Sequence, residues 1–439
     1  MRGLKGKFLK IGLVSITIKG FGAALSVLVT IILARVLGVD GFGEYAYVLA
    51  ILTLLALPAQ AGIPQLVTRE TALGMVRKST ARVVGIWRWA TKIGVVMGGA
   101  IALGLGVVQM AWPDVMGEHA DLFFAGLLLP LALALTHIVA AFLRGLRNVV
   151  LAQLVGSVTA PLAFIVFISV LLGINTEITP SSAMGLNFLS TGIALSLGML
   201  LFFKVRPWRA VEKIEPAYET KAWIKSLMPL SMITGFSFIN AQFALIMLGI
   251  LAAKMDVGVY KAMMVFSSAL LIAQQAINDV ISPYLVSSHE TGNKHKLETI
   301  VFMTALASFV FMLFPALIFA FWGGSIIELV YGEEYRPGYV ALVILLVGQV
   351  VNAGSGPVAL LLNMTGYERY TLRGVGVSTI LNVVLCVILI PKYGIAGAAV
   401  ASALTLVGWN LILVYFVARK LGINSTVINS LLFRKMSKI

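Results

Sequence analysis

The chain has 439 residues, of which 59% are apolar and 12% charged, with a mean hydropathy of +0.98. A soluble domain carries about 45–50% apolar and about 25% charged residues, so this composition excludes a set of water-soluble domains and leaves hydrocarbon as the solvent for most of the chain. The net charge of +15 raises nucleic-acid binding as a class until the basic residues are placed along the sequence.

A bilayer core about 30 Å thick takes roughly 20 apolar residues per helix. That criterion predicts twelve spans: 11–34, 44–65, 90–112, 121–142, 149–172, 182–203, 227–251, 258–282, 299–322, 338–363, 372–390 and 394–418. The first follows a basic start (Arg2, Lys5) but is too long for a signal-peptide core and lacks an Ala-x-Ala exit, so it is predicted to stay as a membrane helix. Alternate connections hold 27 of the Lys and Arg residues, against four (Arg35, Lys254, Arg336, Lys392) on the other side. Basic residues collect on the cytoplasmic face, which predicts both termini there. The opposite side is acidic, with Asp40, Glu44, Asp114 and Glu118 among ten carboxylates. Topology thus accounts for the charge, and nucleic-acid binding needs no weight.

Two lysines fall inside spans, where a charge costs about 2.5–3.5 kcal/mol on insertion scales. Lys19 shares an i, i+4, i+7, i+11 stripe with Ser15, Gly22 and Ser26, one polar helix face. Lining a cavity is the preferred reading; snorkelling to the interface along the four-carbon stem is the other. Glu44 opens the second span. His137 and Arg144 share a face of the fourth; a His titrates near neutral pH, although a lone intramembrane His is more often structural. Span seven carries Ser231, Gly235 and Gln242 on one face and Asn240 on another. Lys261 begins a stripe through Ser268, Gln275 and Asp279 in span eight, and for Lys261 snorkelling and cavity-lining weigh equally. Asp279 near the inner end reads equally as a solvated interfacial carboxylate. Span ten repeats the pattern with Gln349, Asn352, Gly356 and Asn363. Inter-helix hydrogen bonding is the plain account of any one of these amides. Gly94-x-x-x-Gly98 and Gly397-Ala-Ala-Val-Ala401 read as close helix packing. Cys386, the sole cysteine, reads as a small buried apolar side chain.

Span two opens Phe42-Gly43-Glu44-Tyr45 and span eight Val257-Gly258-Val259-Tyr260; Pro64-Gln-Leu-Val and Pro283-Tyr-Leu-Val follow in the same order, as do Gly145 and Gly366. These features recur at one offset, which predicts two parallel halves and a site at their interface. The predicted fold is an all-α polytopic membrane protein of about twelve transmembrane helices in two pseudo-symmetric six-helix bundles. Its parts are an N-terminal bundle over 1–210, a cytoplasmic joining loop over 211–226, a C-terminal bundle over 227–420 and a basic tail over 421–439. Phosphate-loop, zinc-protease and nucleophile-elbow motifs are missing, so no cofactor, metal or catalytic residue is called for.

Leu33-Ala-Arg35-Val-Leu37-Gly38, Phe42-Gly43-x-Tyr45, Gly62-Ile-Pro-Gln-Leu-Val-Thr-Arg69 and Pro391-Lys-Tyr393-Gly394-Ile-Ala-Gly397 resemble the helix-boundary patterns of polysaccharide-biosynthesis flippases of the Wzx type, within the MATE-like flippase superfamily. The resemblance spans nearly the whole chain. It implies two bundles enclosing a cationic cavity and alternating access, in the cytoplasmic (inner) membrane of a bacterium, for a lipid-linked diphosphate oligosaccharide of O-antigen or exopolysaccharide type. On that footing Lys19 and Lys261 are expected to meet the diphosphate, and Asn240, Gln242, Gln275 and Asn352 the sugar hydroxyls. Asp279, His137 and Glu44 are the candidates for ion coupling. Membrane lipids and the polymerase and glycosyltransferases of the same pathway are the expected partners. A cation-coupled exporter of small amphiphiles is the first competing function; its branch usually has carboxylates in the N-terminal bundle, and span one has none. A membrane glycan polymerase or ligase is the second, disfavoured by the short external connections.

Overall fold

A computed structural model describes residues 2–112, 114, 117–206 and 214–427, with side chains from Val14 onward apart from Ile16, Ile272, Ala273, Ala276, Asp279 and Pro283. Arg209 and Lys213 of the joining loop and most of the basic tail therefore lie outside the described residues. Among the described residues every regular element is helical. That is what a chain in hydrocarbon must do, since only helices and closed barrels satisfy their own backbone polar groups there. Nine helices among the described residues are long and apolar enough to cross a membrane. Two of the nine, Thr17–Leu55 and Glu368–Leu421, run to 39 and 54 residues, more than one crossing uses. Each is broken at one glycine with positive φ, Gly38 (φ 68°, ψ 177°) and Gly394 (φ 52°, ψ −127°); Gly38 lies in the predicted connection after span one, and Gly394 is the first residue of predicted span twelve. The predicted eighth span, 258–282, is not among the nine, because its helix is interrupted at Leu270.

The chain divides into two compact units, residues 1–238 and 239–439. Unit 1 holds α1 (Arg2–Leu55), α2 (Ile63–Val76), α3 (Thr80–Ala111), α4 (Leu129–Gly145), α5 (Val149–Gly173), α6 (Pro180–Val205) and the first part of α7 (Thr220–Leu251). Its centre is α4, where Ile138 through Leu143 are all buried. Trp87, Phe142 and Phe202 form an aromatic knot with centroids 4.8–5.6 Å apart, and the Trp87 Nε1–H donates to Thr71 Oγ1 at 3.0 Å.

Lipid tails are as apolar as the side chains, so helix association rests on close packing rather than on burial from water. Gly94 and Gly98 provide it between α3 and α4. A Cβ on Gly98 would lie 2.9 Å from Leu131 Cα, and one on Gly94 2.7 Å from Ile138 Cδ1. Gly98→Val is therefore expected to cost about 1–3 kcal/mol by overpacking, read as a lower melting temperature in detergent. Gly99→Ala, whose Cβ meets nothing within 4 Å, is the matched control and is expected to melt like the parent.

Unit 2 holds the rest of α7, then α8 (Lys254–Ala269), α9 (Leu271–Glu290), α10 (Lys294–Tyr331), α11 (Tyr339–Gly354), α12 (Val358–Met364) and α13 (Glu368–Leu421). A cluster of Leu285, Val301, Val358, Leu361, Leu413 and Val417 joins α9, α10, α12 and α13. Gly356 (φ 80°) ends the α11 side of the predicted tenth span, and Pro357 starts α12. A Cβ on Gly356 would lie 2.5 Å from the Ser425 carbonyl oxygen, so this turn is clasped by the chain that follows α13.

Candidate functional site

In unit 1 the polar stripe of α1 meets a distorted stretch of α5. Residues Leu154–Val158 form a wide π-helical turn, a feature that frequently marks functional sites in helices. The Gln153 side-chain N–H donates to Ser15 Oγ at 2.5 Å, and a Cβ on Gly22 would lie 2.7 Å from the Ser157 carbonyl oxygen. The face that the spacing marks as cavity-lining is thus seated on another helix at Ser15 and Gly22. Lys19 lies between them in register and is half-buried. Ser26 Oγ turns back onto the Gly22 carbonyl at 3.0 Å.

Glu44 is half-buried and bonded at 2.9 Å to Nδ1 of His119, whose ring also lies 5.5 Å from that of Tyr47. His119 as its partner is not legible in the sequence, where the two stand 75 positions apart. His137 is exposed on α4, as is Arg144 two turns on.

A buried ion cluster also escaped the sequence reading. Glu70, its side chain 4% exposed, is bonded by Arg82 at 2.8 Å and Arg69 at 3.0 Å, and Arg82 bridges to Glu219 at 3.0 Å. The Ala217 N–H donates to the Ala81 carbonyl at 3.0 Å, and Gly85 passes so close to the Ala217 carbonyl that no Cβ fits. Residues 217–219 of the predicted joining loop are thereby docked onto the start of α3.

In unit 2 the amides gather. Asn410 Nδ2 donates to Asn352 Oδ1 at 2.9 Å and to the Leu406 carbonyl at 2.8 Å, while Asn352 Nδ2 donates to Gln274 Oε1 at 3.3 Å. Gln275 and Asn352 line a cavity of about 220 Å³ together with Gln274, Asn278, Trp409 and Asn410. Leu271, Gln274, Gln275 and Asn278 fall at i, i+3, i+4 and i+7, one face of α9. Of the predicted stripe through Lys261, Ser268, Gln275 and Asp279, Gln275 lies on this lining face. The break at Leu270 divides that stripe between α8 and α9, with Ser268 Oγ donating back to the Val265 carbonyl at 2.9 Å. The Asp279 side chain lies outside the described residues. Lys261 is half-buried on α8 and is not among the lining residues.

Asn240 Nδ2 donates to Ser378 Oγ of α13 at 3.2 Å, and Asn240 Oδ1 and Gln242 Oε1 are buried without a hydrogen-bond partner. Such atoms are uncommon in native structures. Among the described residues no group of His, Cys, Asp and Glu has metal-holding geometry.

Nine helices among the described residues that are long and apolar enough to cross a membrane mark a polytopic membrane protein, and its fold is MATE-like. The fold matches a multidrug resistance MATE family transporter of the MOP superfamily in its inward-facing conformation, with a TM-score of 0.78 at 13% identity over 94% of this chain and 98% of that one. It also matches a MOP superfamily transporter from Pyrococcus furiosus, described as having a binding pocket of reverse polarity, with a TM-score of 0.64 at 15% identity over 93% and 95%. Residues 8–289 match the family described as polysaccharide biosynthesis protein, and the chain belongs to that family. It is 25% identical over 179 residues to a probable low-salt glycan biosynthesis flippase, Agl15, of Haloferax volcanii; that match spans 40% of this chain and 37% of the relative.

Proposed function

We propose that the protein is a flippase that carries a polyprenyl-diphosphate-linked oligosaccharide across the cytoplasmic membrane. The observation that carries this reading is membership of the polysaccharide-biosynthesis family through residues 8–289 on a transporter fold. The working parts are an N-terminal six-helix bundle over 1–210 and a C-terminal one over 227–420, alternating in access about a cationic central cavity. The joining loop over 211–226 and the tail over 421–439 lie on the cytoplasmic side with both termini, an orientation supported by the 27-to-4 division of basic residues.

The physical task is to bring a diphosphate through hydrocarbon, where unpaired charge costs far more than binding repays. Lys19 and Lys261 are the intramembrane cations that offset it, while the polyprenyl chain stays in lipid and amides of the second bundle take the sugar. Weak binding is part of the design, since a transporter must release its cargo. His137, Glu44 and Asp279 are the titratable groups available for ion coupling. A glycosyltransferase loads the substrate on one side, and a polymerase or ligase consumes it on the other.

Lys19→Ala is expected to abolish export of the glycan while membrane levels of the protein stay unchanged. The measurement is surface glycan in cells that depend on this chain, with the lipid-linked precursor followed on the inner leaflet. Full glycan assembly by the variant overturns the reading.

A further inference from the structure

The cavity in unit 2 has a chemistry of its own. None of the described residues lining it is ionisable, so among them there is no cation for a diphosphate and no carboxylate for an amine or metal. Its polar groups are amides, and much of their hydrogen-bonding capacity is unused. The Asn410–Asn352–Gln274 chain fixes three of them. Among the described residues no hydrogen bond engages Gln275 or Asn278, and Asn278 Oδ1 is buried without a partner. An amide presents a donor and an acceptor side by side, which matches a pair of neighbouring hydroxyls, each of which both donates and accepts. Trp409, half-buried at the same wall, adds an aromatic face whose negative quadrupole favours C–H groups laid against it.

Size narrows the occupant further. The cavity, about 220 Å³, is smaller than the roughly 300–1,000 Å³ of sites for drug-sized ligands, which suits one small ring. On the orientation proposed above, residues 271–278, 352–360 and 409–410 lie between the middle and the cytoplasmic end of their spans. The cavity therefore lies on the side where cargo is loaded.

We infer that this cavity is a binding site for a single uncharged sugar ring, separate from whatever holds the phosphates, with Trp409 against the ring face and Gln275 and Asn278 on its hydroxyls. The inference rests on the reading that the cargo is a lipid-linked glycan. It adds that the chain recognises a sugar as well as the diphosphate, and so selects among glycans. The carbonyl of Asn278 is buried without a partner, and a hydroxyl reached by rotating that side chain completes it.

Saturation-transfer NMR on the full chain in detergent tests it, with free glucose, galactose, mannose, rhamnose, N-acetylglucosamine and N-acetylgalactosamine as probes. At least one is expected to give signal on its ring protons, reduced about tenfold in Asn278→Leu and in Gln275→Leu. Inorganic pyrophosphate at equal concentration is expected to leave the signal unchanged. Silence from every probe, displacement by pyrophosphate, or signal that survives both substitutions overturns the assignment. Binding is read here without transport. A chain that moves lipid-linked glycan yet binds no free sugar therefore sinks the cavity alone, whereas sugar binding without any glycan transfer sinks the flippase reading.

Discussion

Glu70→Ala is expected to cost unit 1 about 3–5 kcal/mol, the largest single-residue loss predicted for that unit. The carboxylate is nearly sealed from solvent, and its partners differ in worth. Arg69 is half exposed, so its ion pair is screened and contributes little. Arg82 is 19% exposed and spans Glu70 and Glu219 at 2.8 and 3.0 Å, with its Nε buried and unpartnered. Removing Glu70 leaves that guanidinium largely dehydrated with only an exposed carboxylate opposite it. Glu219→Ala removes the exposed partner and is expected to cost no more than about 1 kcal/mol. Thermal unfolding of both variants in detergent separates them, and equal losses would contradict this account. Because the Ala217–Ala81 hydrogen bond and the Gly85 contact share the same corner, Glu70→Ala is also expected to speed proteolysis around 214–219.

That cluster shows where the sequence was silent. Counting Lys and Arg for topology treats Arg69 and Arg82 as loop charges, and nothing in the spacing marks Glu70 as the buried group between them. The helical, membrane-spanning character was legible because apolar length alone dictates it, and the regions of Gly38 and Gly394 stood out as the ends of apolar runs. The extent of helix across those breaks was not legible, since a single glycine suffices to redirect the chain. Gln275 and Asn352 stood out as polar residues at helical spacing in apolar surroundings. Gln274, Asn278, Trp409 and Asn410 did not, because the cavity they line is assembled from four helices and one of its hydrogen bonds crosses 58 positions. The stripe from Lys261 is divided between α8 and α9 at Leu270, with no proline or glycine there to announce the division.

Gly397→Ala is expected to be the most damaging single-methyl change in unit 2. The contacts across α13 have a common centre. Gly397 faces Leu389, Asn382 Nδ2 donates to Thr405 Oγ1 at 3.3 Å, Gly408 faces Leu381, and Gly374 faces Leu413. Each pair is nearly symmetric about residues 393–394, so α13 is an antiparallel hairpin folded at Gly394. Its two arms close most tightly where a Cβ on Gly397 would stand 2.3 Å from the Leu389 carbonyl oxygen and 2.7 Å from its carbon. These are backbone atoms, which cannot turn aside as a side-chain tip does. Ala398, Ala399 and Ala401 are fully buried alongside, so a displaced arm must carry its neighbours with it. The cost is expected to exceed the usual overpacking range of about 1–3 kcal/mol. Gly394→Ala differs in kind, because a Cβ there meets nothing within 4 Å and only the positive φ resists it, at about 1–3 kcal/mol. Melting of the two variants in detergent should therefore rank Gly397→Ala below Gly394→Ala. A Gly397→Ala protein that melts like the parent would mean that the arms are not apposed at Leu389. The same hairpin holds Trp409 and Asn410 against the cavity, and Trp409 packs over Gly374, where an added Cβ would lie 3.3 Å from the indole ring. Loss of the arm contact should therefore abolish the sugar signal as well as lower the stability.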